Sequence, residues 1–365
     1  MSGTNPALRL KDLRERRIVY DLIVPRFGTG AEGVVGIGDD CAVLPAPGPD
    51  EVLVWTTDPC PTPVQCIVDG PDMSAYGRFT ALINVSDLAA MGARPLGLLV
   101  STVMREDMLV AEYERFLDGL RDACREWVCP VLGGNIKDGP EFTANGTALG
   151  VVRKDLILRR VGARSGDRIC VIGEMGLFWA AVLARLERLT GLRPPDVEVL
   201  ERALRRPAPR LHEGQALAQS RCVTSCMDSS DGVIGCLWEL ALVNHLDFVV
   251  DSGVLHPHPA VETVAGRVDL DFRKLMLSWG DWNLVCTVRS DKCREARACV
   301  ESLGGQFADI GEVRPGNGQV LLAEEGHEGV MSNFASERFS PSSMFTHGLD
   351  AYVESLRNLP LVNRI

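Results

Sequence analysis

The run Ala81-Leu82-Ile83-Asn84-Val85-Ser86-Asp87-Leu88-Ala89-Ala90-Met91, closed by Gly92, constrains the fold more than any other stretch of this chain. It predicts the second half of a long helix that begins near Asp69-Gly70-Pro71, with Pro71 in the first turn, and stops at Gly92. Apolar residues lie on every face, so such a helix has to be buried. Asn84 and Asp87 are three apart and share one face. A carboxylate in that setting costs on the order of several kcal/mol unless it is paired or bound to a cation. An aspartate held by backbone donors satisfies the same physics, so the residues alone leave both readings open.

The rest of the first half alternates between strands and helices, which argues for an α/β or α+β domain. After a helix over Lys11–Ile23, the run Val52–Asp58 is β-type and ends in Thr56-Thr57-Asp58. A strand over Leu96–Met104 and a helix over Met108–Trp127 come next, then a strand into Leu132-Gly133-Gly134-Asn135 and another over Thr143–Val152. Upstream, Gly36-Ile37-Gly38-Asp39-Asp40 pairs permissive glycines with two hard oxygen donors of the kind that suit Mg²⁺. Gly-Asp pairs are equally ordinary turn chemistry.

Near Arg159–Asp167 the chain turns polar and glycine-bearing, which predicts domains over 1–160 and 161–365. The second half opens with a buried strand, Arg168–Ile172, and a helix through Leu177–Ala184. Between them, Gly173-Glu174-Met175-Gly176 either presents amides to an anion or makes a tight turn. Pro194-Pro195 and Pro207-Ala208-Pro209 read as loops. Asp228-Ser229-Ser230-Asp231-Gly232 precedes a helix over Gly232–His245. Asp231 or Ser230 can serve as its N-cap, and two carboxylates three apart exceed what a cap needs.

Composition removes several classes of function. With 365 residues, 46% of them hydrophobic, the chain can build two cores. A net charge of −11 argues against a nucleic-acid partner. No apolar run reaches the length of a membrane span, and the first residues carry no secretory pattern, so a cytoplasmic protein without a membrane partner is expected. Twelve cysteines include no Cys-x-x-Cys pair, and several sit in apolar strands as small hydrophobes, so they read as reduced. The six histidines have no ligand spacing. No Ser-His-Asp or Cys-His arrangement stands out, and no Walker-type glycine loop is present.

Taken in order, Gly36-Ile37-Gly38-Asp39-Asp40, Thr56-Thr57-Asp58, Asn84-Val85-Ser86-Asp87-Leu88-Ala89-Ala90-Met91-Gly92-Ala93, Gly133-Gly134, Arg206-Pro207-Ala208-Pro209-Arg210 and Asp228-Ser229-Ser230-Asp231-Gly232 resemble the thiamine-monophosphate kinase family. That family belongs to the superfamily that includes aminoimidazole ribonucleotide synthetase. The resemblance implies a two-domain α/β (α+β) fold whose N-terminal domain pairs in a homodimer with a barrel-like core. ATP and several Mg²⁺ would lie in a cleft near the dimer interface. It makes Asp40, Thr56, Thr57, Asp58, Asp87, Asp228 and Asp231 magnesium ligands, with Asn135 where the family has an aspartate. Gly134, Asn135, Arg160 and Ser230 would touch ATP, and Asp87 and Asp231 would act most directly in catalysis.

The acceptor side departs from the family pattern. Gln65 stands near a family histidine that contacts the substrate. Trp279-Gly280-Asp281-Trp282-Asn283-Leu284 is one residue shorter than the family's Gly-Gly-Glu-Asp-Tyr-Glu-Leu, leaving Asp281 and Trp282 as acceptor contacts. Phe339 and Phe345 are candidates for the aromatic that stacks on the substrate. The implied activity is ATP- and Mg²⁺-dependent transfer of the γ-phosphate to a small acceptor, thiamine monophosphate or another. A ligase or cyclase that activates an amide or carboxylate, and a nucleotide-binding protein without catalysis, remain alternatives.

Overall fold

A computed structural model of the protein describes residue 9 and residues 18–28, 48–335 and 344–363. The predicted Asp39-Asp40 stretch, the first part of the predicted Lys11–Ile23 helix, Phe339 and the Phe345 side chain lie outside what is described. Two compact units emerge. One runs to Leu88 and resumes over Ala93–Asp155; the other holds Ala89–Gly92 and Leu156 onward. The division falls at Asp155/Leu156 rather than the expected 160/161. Among the described residues no helix is long and apolar enough to cross a membrane, and the described cysteines are free thiols.

Among the described residues the first unit is a four-stranded sheet covered by helices on one face. Its strands are β1 (Glu51–Pro59), β2 (Arg94–Met104), β3 (Val131–Asp138) and β4 (Thr143–Arg153), in spatial order β1-β4-β2-β3. β2 and β3 run parallel; the other pairs are antiparallel. The helices are α1 (Val64–Asp69), α2 (Met73–Ala90) and α3 (Val110–Glu126). The predicted long helix therefore starts later than expected. Gly70, at φ +96°, ends α1, and the Asp72 carboxylate accepts from Ser74 N–H at 3.0 Å to start α2. The predicted stop holds: Gly92 takes φ +66°, and Ala93 N–H reaches back to Leu88 O at 2.9 Å, a Schellman ending.

As its composition requires, α2 is buried on both sides. Against the sheet, a Cβ on Gly150 would meet Leu88 at 3.1 Å, and one on Gly146 would meet Asn84 at 2.1 Å. Against α3 the backbones nearly touch: a Cβ on Gly77 would lie 2.0 Å from Phe116 O, and one on Gly119 2.0 Å from Ser74 O. The other face of the sheet carries Leu53, Trp55 and Leu99, which remain exposed, Trp55 at 72%.

The second unit is a seven-stranded mixed sheet, made of β5 (Arg168–Ile172), β6 (Val223–Asp228), β7 (Leu246–Asp251), β8 (Leu284–Val288), β9 (Phe307–Pro315), β10 (Val320–Glu324) and β11 (His327–Val330). Their order is β11-β10-β7-β9-β5-β8-β6. Around it pack α4 (Leu177–Leu186), α5 (Pro194–Arg205), α6 (Leu211–Ser220), α7 (Val233–Asn244), α8 (Pro259–Arg267), α9 (Phe272–Leu277), α10 (Cys293–Glu301) and α11 (Leu349–Asn358). Pro194 and Pro195, predicted as loop, instead open α5. The first helical turn needs no amide from them, and proline's fixed φ suits it.

Phe178 and Trp179 of α4 form a cluster with Trp279 and Tyr352, and the Trp179–Tyr352 ring centroids stand 4.7 Å apart. Lys274, buried in α9, donates to Leu356 O at 2.7 Å and Arg357 O at 3.3 Å, placing a cation at the C-terminal end of α11.

Candidate active site

In the first unit the pleat of β1 sorts the predicted ligands onto two faces. Thr56 and Asp58, two apart, face α2. Thr56 Oγ1 donates to the Asp87 carboxylate, and Asp58 N–H donates to Asn84 Oδ1 at 3.3 Å. Asn84 is fully buried, and its amide also donates to Thr80 O at 2.9 Å. One turn of α2 thus aligns Asn84 with Asp87 beside the end of β1, and Asp87 retains partial solvent exposure. The Thr56 hydroxyl is one donor that offsets the cost of placing this carboxylate on an apolar helix.

Thr57 points the other way. Its hydroxyl donates to Gly146 O at 2.9 Å and lies 2.9 Å from Thr147 Oγ1, on the open face. Asn135 lies on β3, the far edge strand, where it pairs with Ser101 of β2. Gly133, two residues before it, meets Leu99 on the open face, so Asn135 belongs to that face too. Three strand spacings, roughly 14 Å, separate β3 from β1. One copy of the unit therefore does not unite Thr57 and Asn135 with Thr56, Asp58 and Asp87. The two-residue period of β1 was available in the sequence and would have split Thr56 from Thr57. Gly134, at φ +155°, sits where a Cβ would lie 1.8 Å from Val100 O. Gln65 is buried in α1, where its amide donates to Asp72 at 3.3 Å.

In the second unit β6 ends at the buried Asp228, and α7 starts after Gly232, at φ +97°. Ser230 Oγ lies 3.4 Å from Asp228 Oδ1. Ser230 is exposed and Asp231 partly so. Arg160 reaches Glu239 of α7 at 3.6 Å, both side chains half-exposed. Asp228, Ser230 and Asp231 therefore gather at the start of α7, while Arg160 lies along its flank, with its carbonyl accepting from Asn244 at the far end at 2.9 Å.

The anion suggested for the Gly173–Gly176 amides turns out to be internal. Asp281 accepts from Gly176 N–H at 2.6 Å and Phe178 N–H at 2.8 Å, at the N-terminus of α4. Its two carboxylate oxygens are each engaged by one amide of that turn. Burial pushes its pKa up to about 7, against the lowering effect of those two amides and of Arg210. Trp282 is buried at φ +53°, a strained position for a bulky residue.

Sequence reasoning missed Ser229 and Asn283. Ser229 N–H donates to Asn283 O and Asn283 N–H donates to Ser229 Oγ, both at 2.8 Å. Among the described residues, neither Asn283 Oδ1 nor Arg210 Nε, both buried, has a hydrogen-bond partner. Both crowd the one side of Gly173, where a Cβ would stand 2.0 Å and 2.7 Å from them. The repeated use of Gly173, Arg210 and Asn283 around one point is invisible in the sequence.

Among the described residues no group of three or more His, Cys, Asp or Glu side chains forms a metal cage. The donor chemistry still fits Mg²⁺, which is ordinarily held by one or two carboxylates together with water and phosphate oxygens. Asp58 and Asp87 in one unit, and Asp228 and Asp231 in the other, are pairs of that kind.

The model of the AIR synthase related protein N-terminal domain matches residues 38–152, and that of the C-terminal domain matches residues 164–323. Thiamine-monophosphate kinase of Escherichia coli strain K12 is 30% identical over 282 residues, spanning 76% of this chain and 84% of the relative. The crystal structure of thiamine-monophosphate kinase from Stenotrophomonas maltophilia K279a superposes with a TM-score of 0.72 at 29% identity, covering 85% of this chain and 96% of that one. The fold is shared with AaThiL complexed with AMPPCP and TMP, at a TM-score of 0.65 and 24% identity, over 88% of this chain and 96% of that one. With both domain models matched over most of its length, the chain belongs to the thiamine-monophosphate kinase family of the AIR synthase related proteins.

Proposed function

We propose that the protein is an ATP- and Mg²⁺-dependent phosphotransferase that passes the γ-phosphate of ATP to a small acceptor, with thiamine monophosphate the first candidate. The observation that carries this reading is the Thr56–Asp87 contact beside Asp58 and the buried Asn84, a polar group built into an otherwise apolar helix and sheet. Family membership and the nucleotide analogue bound by AaThiL support it.

Phosphoryl transfer proceeds through a loose, charge-rich transition state that needs positioning and cations more than a nucleophilic side chain. Asp58 and Asp87, with Thr56, would hold Mg²⁺ in the first unit, and Asp228 and Asp231 would do so in the second. Bound Mg²⁺ would neutralise charge on the transferring phosphoryl group. The Ser230 hydroxyl, exposed just before α7, and Arg160, exposed along the flank of that helix, would supply donors for phosphate oxygens. The Asn84 amide keeps Asp87 and the end of β1 in register.

The open face of the first sheet supports a homodimer. Leu53, Trp55 and Leu99 leave an apolar surface that a second copy would cover. Among the described residues β1 and β3 are the edge strands, and closing two such sheets into a barrel would set β3 of one copy beside β1 of the other. Asn135 and Thr57 would then serve a site shared between copies.

The acceptor side favours a second reading in which the phosphate goes to a molecule other than thiamine monophosphate. Gln65 is tied to Asp72 and Asp281 is bound inside α4, so two of the expected acceptor contacts are committed elsewhere. ADP release with ATP and Mg²⁺ tests both readings, comparing thiamine monophosphate with a panel of other phosphates, carboxylates and amides. Release stimulated by thiamine monophosphate supports the first reading. Stimulation by another acceptor alone supports the second. No acceptor-dependent release, with or without chelator, removes the phosphotransferase reading.

A further inference from the structure

We propose that Asp281 is a positioning residue that holds the Asp228–Gly232 loop in place by clamping the N-terminus of α4. The inference rests on the phosphotransferase reading for its kinetic consequence and on the geometry alone for the clamp.

The chain of contacts is continuous. The Asp281 carboxylate takes one amide from Gly176 and one from Phe178, fixing its loop to the start of α4. Gly280, at φ +108°, lets the loop pass directly under the Phe178 ring; a Cβ there would be 2.1 Å from it. Two residues on, Asn283 joins Ser229 through the reciprocal pair of 2.8 Å bonds. The Asn283 amide is held in turn by Glu174 O at 2.9 Å, in the same loop that precedes α4. Ser229 lies between Asp228 and Ser230, and its carbonyl accepts from Gly232 N–H at 2.9 Å, closing the turn that presents Asp231. Ser229 therefore cannot shift without moving its neighbour Asp228 and, through the turn, Asp231, and its partner segment at Asn283 is anchored at Asp281.

The clamp works only with an acceptor carboxylate. Two amides at a helix N-terminus favour the anion, and protonation converts one accepting oxygen to a donor. The groups facing it are few: Arg210, whose Nη2 donates to the Asp281 carbonyl at 3.3 Å and favours the anion, and Glu174, which disfavours it. Burial outweighs the stabilising groups and sets the proton's loss at about 7. The clamp therefore loosens as pH falls through that value.

Stability responds in the opposite sense. An aspartate whose folded pKa lies above its unfolded value binds more protons when folded, so this group adds stability as pH falls from 7 toward 4. Activity and thermal stability are thus expected to part company just below neutrality, which a merely structural residue would not produce.

The test compares wild type, Asp281→Asn and Ser229→Ala, with ADP release in thiamine monophosphate, ATP and Mg²⁺ from pH 5.5 to 8.5. Wild type should lose kcat through an acid limb centred near 7 while its thermal midpoint does not fall. Asp281→Asn should lower kcat about 10- to 100-fold at pH 8, with little change in KM for ATP, and abolish the limb. Ser229→Ala should lower kcat while keeping the limb. Retention of the limb in Asp281→Asn, or wild-type kcat in Ser229→Ala, overturns the proposal.

Tryptophan fluorescence without substrate reads the clamp directly, because Trp282 follows Asp281 in the chain and Trp179 and Trp279 pack against Phe178, whose amide the carboxylate binds. A transition near pH 7 in wild type that is missing from Asp281→Asn supports it; the same transition in both proteins overturns it. Were wild type to turn over no acceptor, the phosphotransferase reading would fall, and fluorescence would still decide the clamp.

Discussion

Asp87 shows how much one residue in context can reveal. Its apolar helix makes a carboxylate expensive, and that expense requires a partner, a donor or a cation, without deciding which. The structure supplies the Thr56 donor and the buried Asn84 beside it. Asp87→Asn should keep the fold, since the asparagine still accepts from Thr56, and should lower kcat on the order of 100-fold or more by removing a charge that would hold Mg²⁺. Far-ultraviolet circular dichroism and the melting midpoint check the first part, and ADP release checks the second. Near-wild-type turnover would return Asp87 to a structural role. The clamp at Asp281 is hidden from the sequence for an equally physical reason: its partners, the amides of Gly176 and Phe178, lie more than a hundred residues away in the chain.

Whole elements were legible where period and length agreed. The strands of the first unit and the amphipathic α3 follow from alternation and from the three-four spacing. The C-terminal stop of α2 followed from Gly92. Its start did not, because Gly70-Pro71 resembles a helix opening while the cap is the Asp72 side chain. Pro194-Pro195 misled in the converse direction, since proline breaks a helix interior yet suits its first turn. No local signal exposed the α2–α3 crossing, which needs small residues on both helices. That crossing gives a prediction of unusual sign. An alanine in a helix interior ordinarily gains about 1 kcal/mol over glycine. Gly119→Ala should instead destabilise by about 1–3 kcal/mol, because its Cβ would meet Ser74 O at 2.0 Å. Urea or thermal unfolding decides it, and a stabilised variant would mean that the two helices separate at little cost.

At the scale of the molecule, the candidate ligands of the first unit stand on opposite faces of one sheet. Thr56 and Asp58 look toward α2, and Thr57 and Asn135 toward the open apolar face. If the phosphotransferase reading and its dimer hold, each site draws its Asp87 from one copy and its Asn135 from the other. Trp55→Glu should then convert a dimer to a monomer on light scattering and abolish activity with it, since burying a charge in the interface opposes association. Complementation is the sharper measurement. Asp87→Asn and Asn135→Ala should each be inactive alone. Unfolded together and refolded at equal concentrations, half the dimers should be mixed, and each mixed dimer carries one site with both residues intact. The recovered activity should be about one quarter of wild type. If both residues of a site came from the same chain, each mixed dimer would contain two defective sites and no activity would return, so recovery itself measures whether the open face of the sheet completes the catalytic group.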